Sequence, residues 1–255
     1  MLINRVINRF RAQDWVALVS ELIIVVVGIF IAIQADSWWQ HQDELQQEKR
    51  YIARLLEDIE RDKTAINHAI SLATYRLSLA DLLMDAAVDP RIVLRRPAEF
   101  MIAVQQSAFT YTPSLNTDTF EELRATGKLG LLRNDKLKSA LFEYYRYDES
   151  QRQYLSLQLM TEFRHFELAA GILTNEQYVW MQDEIGYVSP GVPSDIEVTA
   201  AQLDAVVEAA QRLKDSPDFV AWLPEARSMQ IELADTHESR LRRAHALLTI
   251  LKGAE

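Results

Sequence analysis

The sequence predicts an all-α protein: a single N-terminal membrane-spanning helix continues into a long stalk helix, followed by an extracytoplasmic helical bundle. Three observations lead there. Gly and Pro number only seven each in 255 residues, while Ala, Leu, Glu, Gln and Arg, which lose little rotamer freedom in a helix, abound. Apolar residues recur at steps of three, four and seven. One apolar run near the N-terminus is long enough to cross a bilayer.

That run is "ELIIVVVGIFIAIQADSWW", Glu21 to Trp39. Between Val16 and Ala35 only Ser20, Glu21 and Gln34 are polar, so a helix here matches a hydrocarbon core of roughly 30 Å. Trp15 precedes it and Trp38 and Trp39 follow, about 35 Å away at helical rise, where amphipathic rings anchor at the two interfaces. Cleavage as a signal peptide would place Ile33 three residues before the cut after Ala35, where a small residue is required, so an uncleaved anchor is expected. Arg5, Arg9 and Arg11 lie before the span, and Asp36, Asp43, Glu44 and Glu48 come ahead of the first basic residues after it. The positive-inside rule puts residues 1–14 in the cytoplasm, the transmembrane anchor over 15–39 and the rest outside, which in a bacterium means a single-pass inner-membrane protein with a periplasmic C-terminal region.

Within the span, Glu21, Val25, Gly28, Ala32 and Ala35 share one face. Gly28-x-x-x-Ala32 is a small-xxx-small pair that lets helix backbones approach closely. Glu21 lies roughly 9 Å beyond Trp15, a position where an isolated carboxylate is costly and a partnered one is not. The face is therefore expected to pack on a second copy or on another membrane protein; the alternative is a carboxylate that snorkels from a monomer.

No Gly or Pro interrupts residues 36–88, where Ile52, Leu56, Ile59, Ile66, Ile70, Ala73, Leu77, Ala80 and Met84 form one stripe, giving a stalk over 40–88 that Asp89-Pro90 ends. A bundle core follows over 97–185. Arg96-Pro97 opens a helix to about Tyr111; Thr119 with Glu122 reads as a capping box for a short helix closed by Gly127; Asn134-Asp135 caps a long helix. The stripe of that long helix is Leu137, Leu141, Tyr144, Leu155, Leu159, Phe163, Phe166 and Ala170, and Thr174 with Gln177 caps a further helix through Trp180. "GYVSPGVPSD" lies in a linker, 186–198, before C-terminal helices over 199–255: one capped by Thr199 and Gln202, one opened by Ser216-Pro217, and a last one introduced by Pro224 with the stripe Ala226, Met229, Leu233, His237, Leu241, Ala244, Leu248 and Leu251.

Chemistry is argued down rather than found. A net charge of -10 repels phosphate backbones, so nucleic acid is not an expected partner. The absence of cysteine removes disulfides and thiolate metal sites. Glu162-x-x-His165 has the spacing of carboxylate-bridged di-iron bundles, but no other histidine repeats it, so a solvated helix face is expected and no cofactor or metal is assigned. No nucleophile elbow or phosphate loop is present, and no catalytic residue is assigned. His237, on an apolar stripe, reads as a hydrogen-bonded core residue. Asp148 and Arg152 interrupt the stripe of the long helix at ion-pair spacing and with Tyr144 form either a polar layer or a small-molecule pocket.

"SELIIVVVGIFIAIQADSWWQ" resembles the N-terminal signature of a large uncharacterised family of bacterial single-span membrane proteins, roughly Glu-Ile-apolar-Gly-Ile-x-Ile-Ala-x-Gln-x-x-x-Trp. "TFEELRATGKLGLLRNDKLKSALFEYY", Thr119 to Tyr145, is similar to that family's second block. Trp38-Trp39 stands where Trp-Asn is more usual, and the chain after Gly186 lies outside the resemblance. The resemblance implies an uncleaved anchor and no assigned activity. The functional expectation is an oligomeric membrane scaffold or interaction protein, with the lipid bilayer and a second copy or another membrane protein as partners. The alternatives are a ligand-sensing bundle acting through a membrane partner, then an enzyme of unrecognised type.

Overall fold

The computed structural model describes residues 15–185, 196 and 198–254, with side chains described for all of these except 15–18, 152–158 and 184–185. The N-terminal segment 1–14 and nearly all of the expected linker lie outside the described residues. Among those described there is no strand.

One helix organises the molecule. α1, Trp15–Val88, runs unbroken for 74 residues, about 110 Å at helical rise, because nothing between Gly28 and Asp89 can break it. Asp89 ends it as predicted: its carboxylate accepts from the Arg91 N–H and caps a 3-10 turn, Pro90–Arg95. α2 is Pro97–Gln106, α3 Asp118–Ala125 and α4 Asp135–Ala169; α5 is Asn175–Trp180, running into a π turn at Met181–Ile185; α6 is Ala200–Lys214 and α7 Pro217–Lys252. The capping boxes at Thr174 with Gln177 and at Thr199 with Gln202 are both formed, and the Asn134 side chain caps α4.

α7 folds back antiparallel along α1: Arg227 reaches Asp81 and, at the other end, Lys252 reaches Glu60. Apolar side chains gather in two clusters along this pair. Nearer the span, Ile52, Leu55, Ile59 and Ile66 of α1 pack with Phe120, Leu123, Leu137, Leu141 and the Leu247 to Leu251 end of α7. At the far end, Leu79, Leu83 and Ala86 pack with α2, the end of α4, α6 and Phe219 and Leu223. Up to about residue 50 the stalk meets the bundle through polar contacts, of Arg133 with Glu48 and His41. From Tyr51 onward it is the spine of the bundle.

Four expectations are corrected. Pro224 does not start a helix but lies inside α7, which Pro217 has already opened. Losing one helical hydrogen bond there is offset by burial of Phe219, Leu223 and Ala226 on either side of it. α3 starts after Thr117, whose side chain makes no capping hydrogen bond, and Thr119 is buried instead of capping; its supposed partner Glu122 turns to Arg54 and to the Tyr51 hydroxyl, 2.7 Å from each. α2 ends at Gln106, not near Tyr111, and the chain crosses from 107 to 117 without helix. Finally, the stripe of α4 is core only in its first half. Leu137, Leu141 and Tyr144 are buried, whereas Leu159 and Phe163 are 50% and 70% exposed; farther along α4 the buried residues are His165 and Ala169, on a different side of the helix from Phe163.

Substituting one core side chain in each cluster, Ile59→Ala or Leu83→Ala, is expected to cost about 2–5 kcal/mol, whereas Leu159→Ala should change stability by no more than about 0.5 kcal/mol. Urea denaturation of the detergent-solubilised protein measures the difference.

Candidate functional site

Two regions carry the residues singled out from the sequence. The first is the span. Glu21, Val25, Gly28, Ala32 and Ala35 are all exposed, and a Cβ placed on Gly28 meets nothing within 4 Å. Trp38 and Trp39 are also exposed, their rings edge to face 5.0 Å apart; the side chain of Trp15 lies outside those described. The apolar window has a mean hydropathy of 2.1 and none of it is buried, so the helix is long and apolar enough to cross a membrane, and none of the described residues covers it.

The second region is built around the non-helical segment 107–117, which passes between α1, α4 and α7. Its backbone needs hydrogen-bond partners that a helix would have supplied internally. Side chains from the three flanking helices provide them. From α1, the Asp62 carboxylate accepts from the Asn116 backbone and side-chain N–H groups at 2.8 and 2.7 Å, and Arg76 donates to the Phe109 carbonyl. From α4, the Tyr145 hydroxyl donates to the Asn116 carbonyl, and Glu162 accepts from both the backbone and the hydroxyl of Thr110. From α7, Gln230 donates to the Ser107 and Phe109 carbonyls, His237 to Tyr111 and Arg240 to Pro113.

Asp148 and Tyr144 belong to this arrangement. Asp148 is 2.5 Å from the Arg240 guanidinium, a buried pair joining α4 to α7. The Tyr144 hydroxyl donates to the second Asp62 oxygen at 3.0 Å. The side chain of Arg152, the partner expected from spacing, lies outside those described. Arg240, Asp62, Arg76, Gln230 and Asn116 were not singled out in the sequence. Their signal was available for two of them: Asp62 interrupts the stripe between Ile59 and Ile66, and Arg240 lies one turn beyond His237 on the stripe of α7.

Burial sets the ionisation of these groups. It pushes the Asp62 carboxyl above its ordinary range against the pull of the Asn116 and Tyr144 hydrogen bonds, and it pushes the Tyr144 and Tyr145 phenols up. It pushes His165 and His237 down to about 4. Both imidazoles use the same bonding pattern. Because a carbonyl only accepts, Nε2–H of His165 donates to Val104 and that of His237 to Tyr111; each Nδ1 then accepts, from the Trp222 indole and from Arg240 respectively. His237 is the hydrogen-bonded core residue that the sequence suggested. His165 is not on a solvated face: it is fully buried, and both ring nitrogens are occupied by the protein. Among the described residues no three His, Asp or Glu side chains are grouped to hold a metal ion.

An open groove of about 400 Å³ lies beside this region, between α3 and α4. Phe120 stacks on Tyr145 at 4.5 Å and meets Phe142 edge to face, with Arg124, Arg146 and Asp148 around them. The groove reaches Asp148 but not Tyr144.

The fold therefore defines a helical protein with one long apolar helix near its N-terminus and a bundle built on the same helix. Residues 21–168, more than half of the chain, match the family of unknown function DUF6090, and the chain belongs to that family. The match begins at Glu21 and ends just before α4 does, so it takes in the apolar run and the Thr119 to Tyr145 block, but not α6 or α7. No curated protein and no solved structure matches the chain.

Two measurements check this account. Arg240→Met, which takes the α7 guanidinium away from the buried Asp148 carboxylate, is expected to cost up to about 3–5 kcal/mol, and adding Asp148→Leu should recover part of the loss, read from denaturation midpoints. Acid should weaken the fold through the histidines. An unfolded imidazole binds its proton below about pH 6.5 and the folded ones only near 4, so between these values stability falls with pH, by up to about 1.4 kcal/mol per pH unit for each histidine. Asp62, whose raised carboxyl is relieved by protonation, works the other way but is one group against two. His237→Gln, whose amide reproduces both hydrogen bonds without titrating, should flatten the slope of Tm against pH by about half.

Proposed function

We propose that this chain is a noncatalytic membrane-anchored scaffold or interaction protein: α1 crosses the bacterial inner membrane with its N-terminus in the cytoplasm, holds the bundle on the extracytoplasmic side, and associates with other membrane proteins or further copies through its span. The observation that carries this reading is that the apolar part of α1 is wholly uncovered while the same helix, without a break, becomes the spine of the bundle. A core helix of a soluble protein would be covered by its neighbours.

Two further observations support it. The base of the bundle reaches back toward the span, where Arg133 donates its backbone N–H to Glu48 and brings its guanidinium within 3.3 Å of His41, two residues beyond Trp39. The bundle thus rests close to the level where the tryptophans anchor. On its flank α4 exposes Leu159, Met160 and Phe163, an apolar strip of the kind that interaction surfaces use. Asp62, Arg76, His237 and Arg240, buried among the helices, hold the 107–117 backbone, a structural task that fits this reading. The groove beside Phe120 and Tyr145 favours the second reading, a ligand-sensing bundle that signals through a membrane partner.

The test is purification from membranes in a mild detergent, followed by native mass measurement and identification of what co-purifies. An oligomer or a stoichiometric membrane partner is expected, and Gly28→Leu with Glu21→Leu should dissociate it. A monomer free of partners, or an assembly indifferent to both substitutions, would overturn association through the span.

A further inference from the structure

The bundle covers only one side of α1, and the side it leaves bare is set by the phase of the helix. An α-helix of 3.6 residues per turn returns to the same face after 36 residues, ten whole turns. Thirty-six residues beyond Glu21, Val25, Gly28, Ala32 and Ala35 lie Glu57, Arg61, Thr64, His68 and Ser71. All five are exposed, while Asp58, Ile59, Asp62, Ile66 and Ala69 between them are buried against the bundle. No glycine or proline after Gly28 disturbs the phase before residue 88. The small-residue face of the span and the uncovered face of the bundle's spine are therefore one continuous strip, from Glu21 to Ser71.

We propose that the occupant of this strip is a second copy of the chain, parallel and in register, so that two α1 helices meet in the membrane and again outside it between residues 57 and 71. The proposal rests on the reading of the span as a membrane anchor and extends it to a named partner and a second contact. Orientation argues for a copy: two chains inserted the same way present identical strips at identical heights, with both bundles on the outer sides. Charge argues for it too. Arg54 and Arg61 lie to one side of the line through Glu57 and Thr64 and Glu60 to the other, about 60° off at helical twist for Arg54 and Glu60. A two-fold axis apposes opposite edges, so Arg54 and Arg61 of each copy, which pair with Glu122 and Glu57 in their own chain, also face Glu60 of the other, which pairs with Lys63 and Lys252 in its own. Above them the strip is low in profile, because the Thr64 and Ser71 hydroxyls fold back onto the carbonyls of Glu60 and Asn67 in their own helix.

The natural sequence contains no cysteine, so single cysteines can be introduced into the full chain without further change. In native membranes with a mild oxidant, Ala35→Cys, Thr64→Cys, His68→Cys and Ser71→Cys are expected to form covalent homodimers at least about tenfold more than Glu238→Cys, an exposed position on α7, since a disulfide needs Cα atoms within roughly 7 Å. In the Ser71→Cys background, Arg61→Glu should reduce the dimer about fivefold, and the companion change Glu60→Lys should restore it. Crosslinking at Ala35 with none at Thr64, His68 or Ser71 would overturn the outer contact while leaving association through the span intact. Crosslinks into a different protein would overturn the second copy as occupant. No crosslink at any of the four positions would overturn both.

Discussion

The structure depends on keeping a non-helical stretch of backbone satisfied in the interior of a helical bundle. Between α2 and α3 the chain runs from 107 to 117 among three helices, with Ser107, Ala108, Pro113 and Leu115 buried. Each unpaired buried backbone group would cost about 1–3 kcal/mol. The bundle answers by placing polar side chains where helix-packing rules call for apolar ones: Asp62 and Arg76 on α1, Tyr145 and Glu162 on α4, Gln230, His237 and Arg240 on α7. These groups are too costly to bury alone and are bonded to the segment and to one another, as in Tyr144 on Asp62 and Asp148 on Arg240. The segment and the polar residues explain each other.

This arrangement also divides the core. The apolar cluster nearer the N-terminal apolar helix and the one at the far end are separate, and Ala73, Ala108, Ala226, Met229 and Leu233 form a third, smaller one. The polar contacts fix the register of α7 on α1 more narrowly than apolar packing does, because a shift of one residue would leave several buried groups unpaired at once. The neutral state of His165 and His237 follows from the same design. Each Nδ1 faces a donor, so a second proton there would meet the Trp222 indole N–H or the Arg240 guanidinium.

What was legible in the sequence tracks the range of the interactions involved. The apolar N-terminal helix, its continuation to Val88, the stop at Asp89-Pro90 and the caps at Asn134, Thr174 and Thr199 depend on residues within a turn or two of each other, and their pattern is local. Thr119 and Glu122 matched the same local pattern and failed, because Arg54 and Tyr51, more than sixty positions earlier, bind Glu122 more favourably than the cap does. The candidate site was legible only in outline. Asp148 and Tyr144 were visible as polar breaks in a stripe, but Arg240, 92 positions from Asp148, is brought there by the antiparallel return of α7, which no spacing encodes. The exposed half of α4 misled for the converse reason: a stripe of Leu159, Phe163 and Phe166 states that a helix has an apolar side, not that this chain supplies the partner.

The continuity of α1 has a mechanical consequence. A helix with no glycine after Gly28 and no proline before Pro90 transmits rotation along its axis, and the bundle is fixed to it by buried contacts from Tyr51 to Ala86 and by Arg133 at its base. The bundle therefore cannot turn about the span independently. Whatever packs against the face of Glu21, Gly28 and Ala32 sets the direction in which the α3–α4 groove and the exposed strip of α4 point. In the other direction, whatever binds those outer surfaces biases the rotation of the span. Gly28, exposed and placed midway along the apolar run, is the one position where this rod is weakened, by about 1 kcal/mol relative to alanine. That cost is offset only if a neighbouring helix uses the space that the missing side chain leaves.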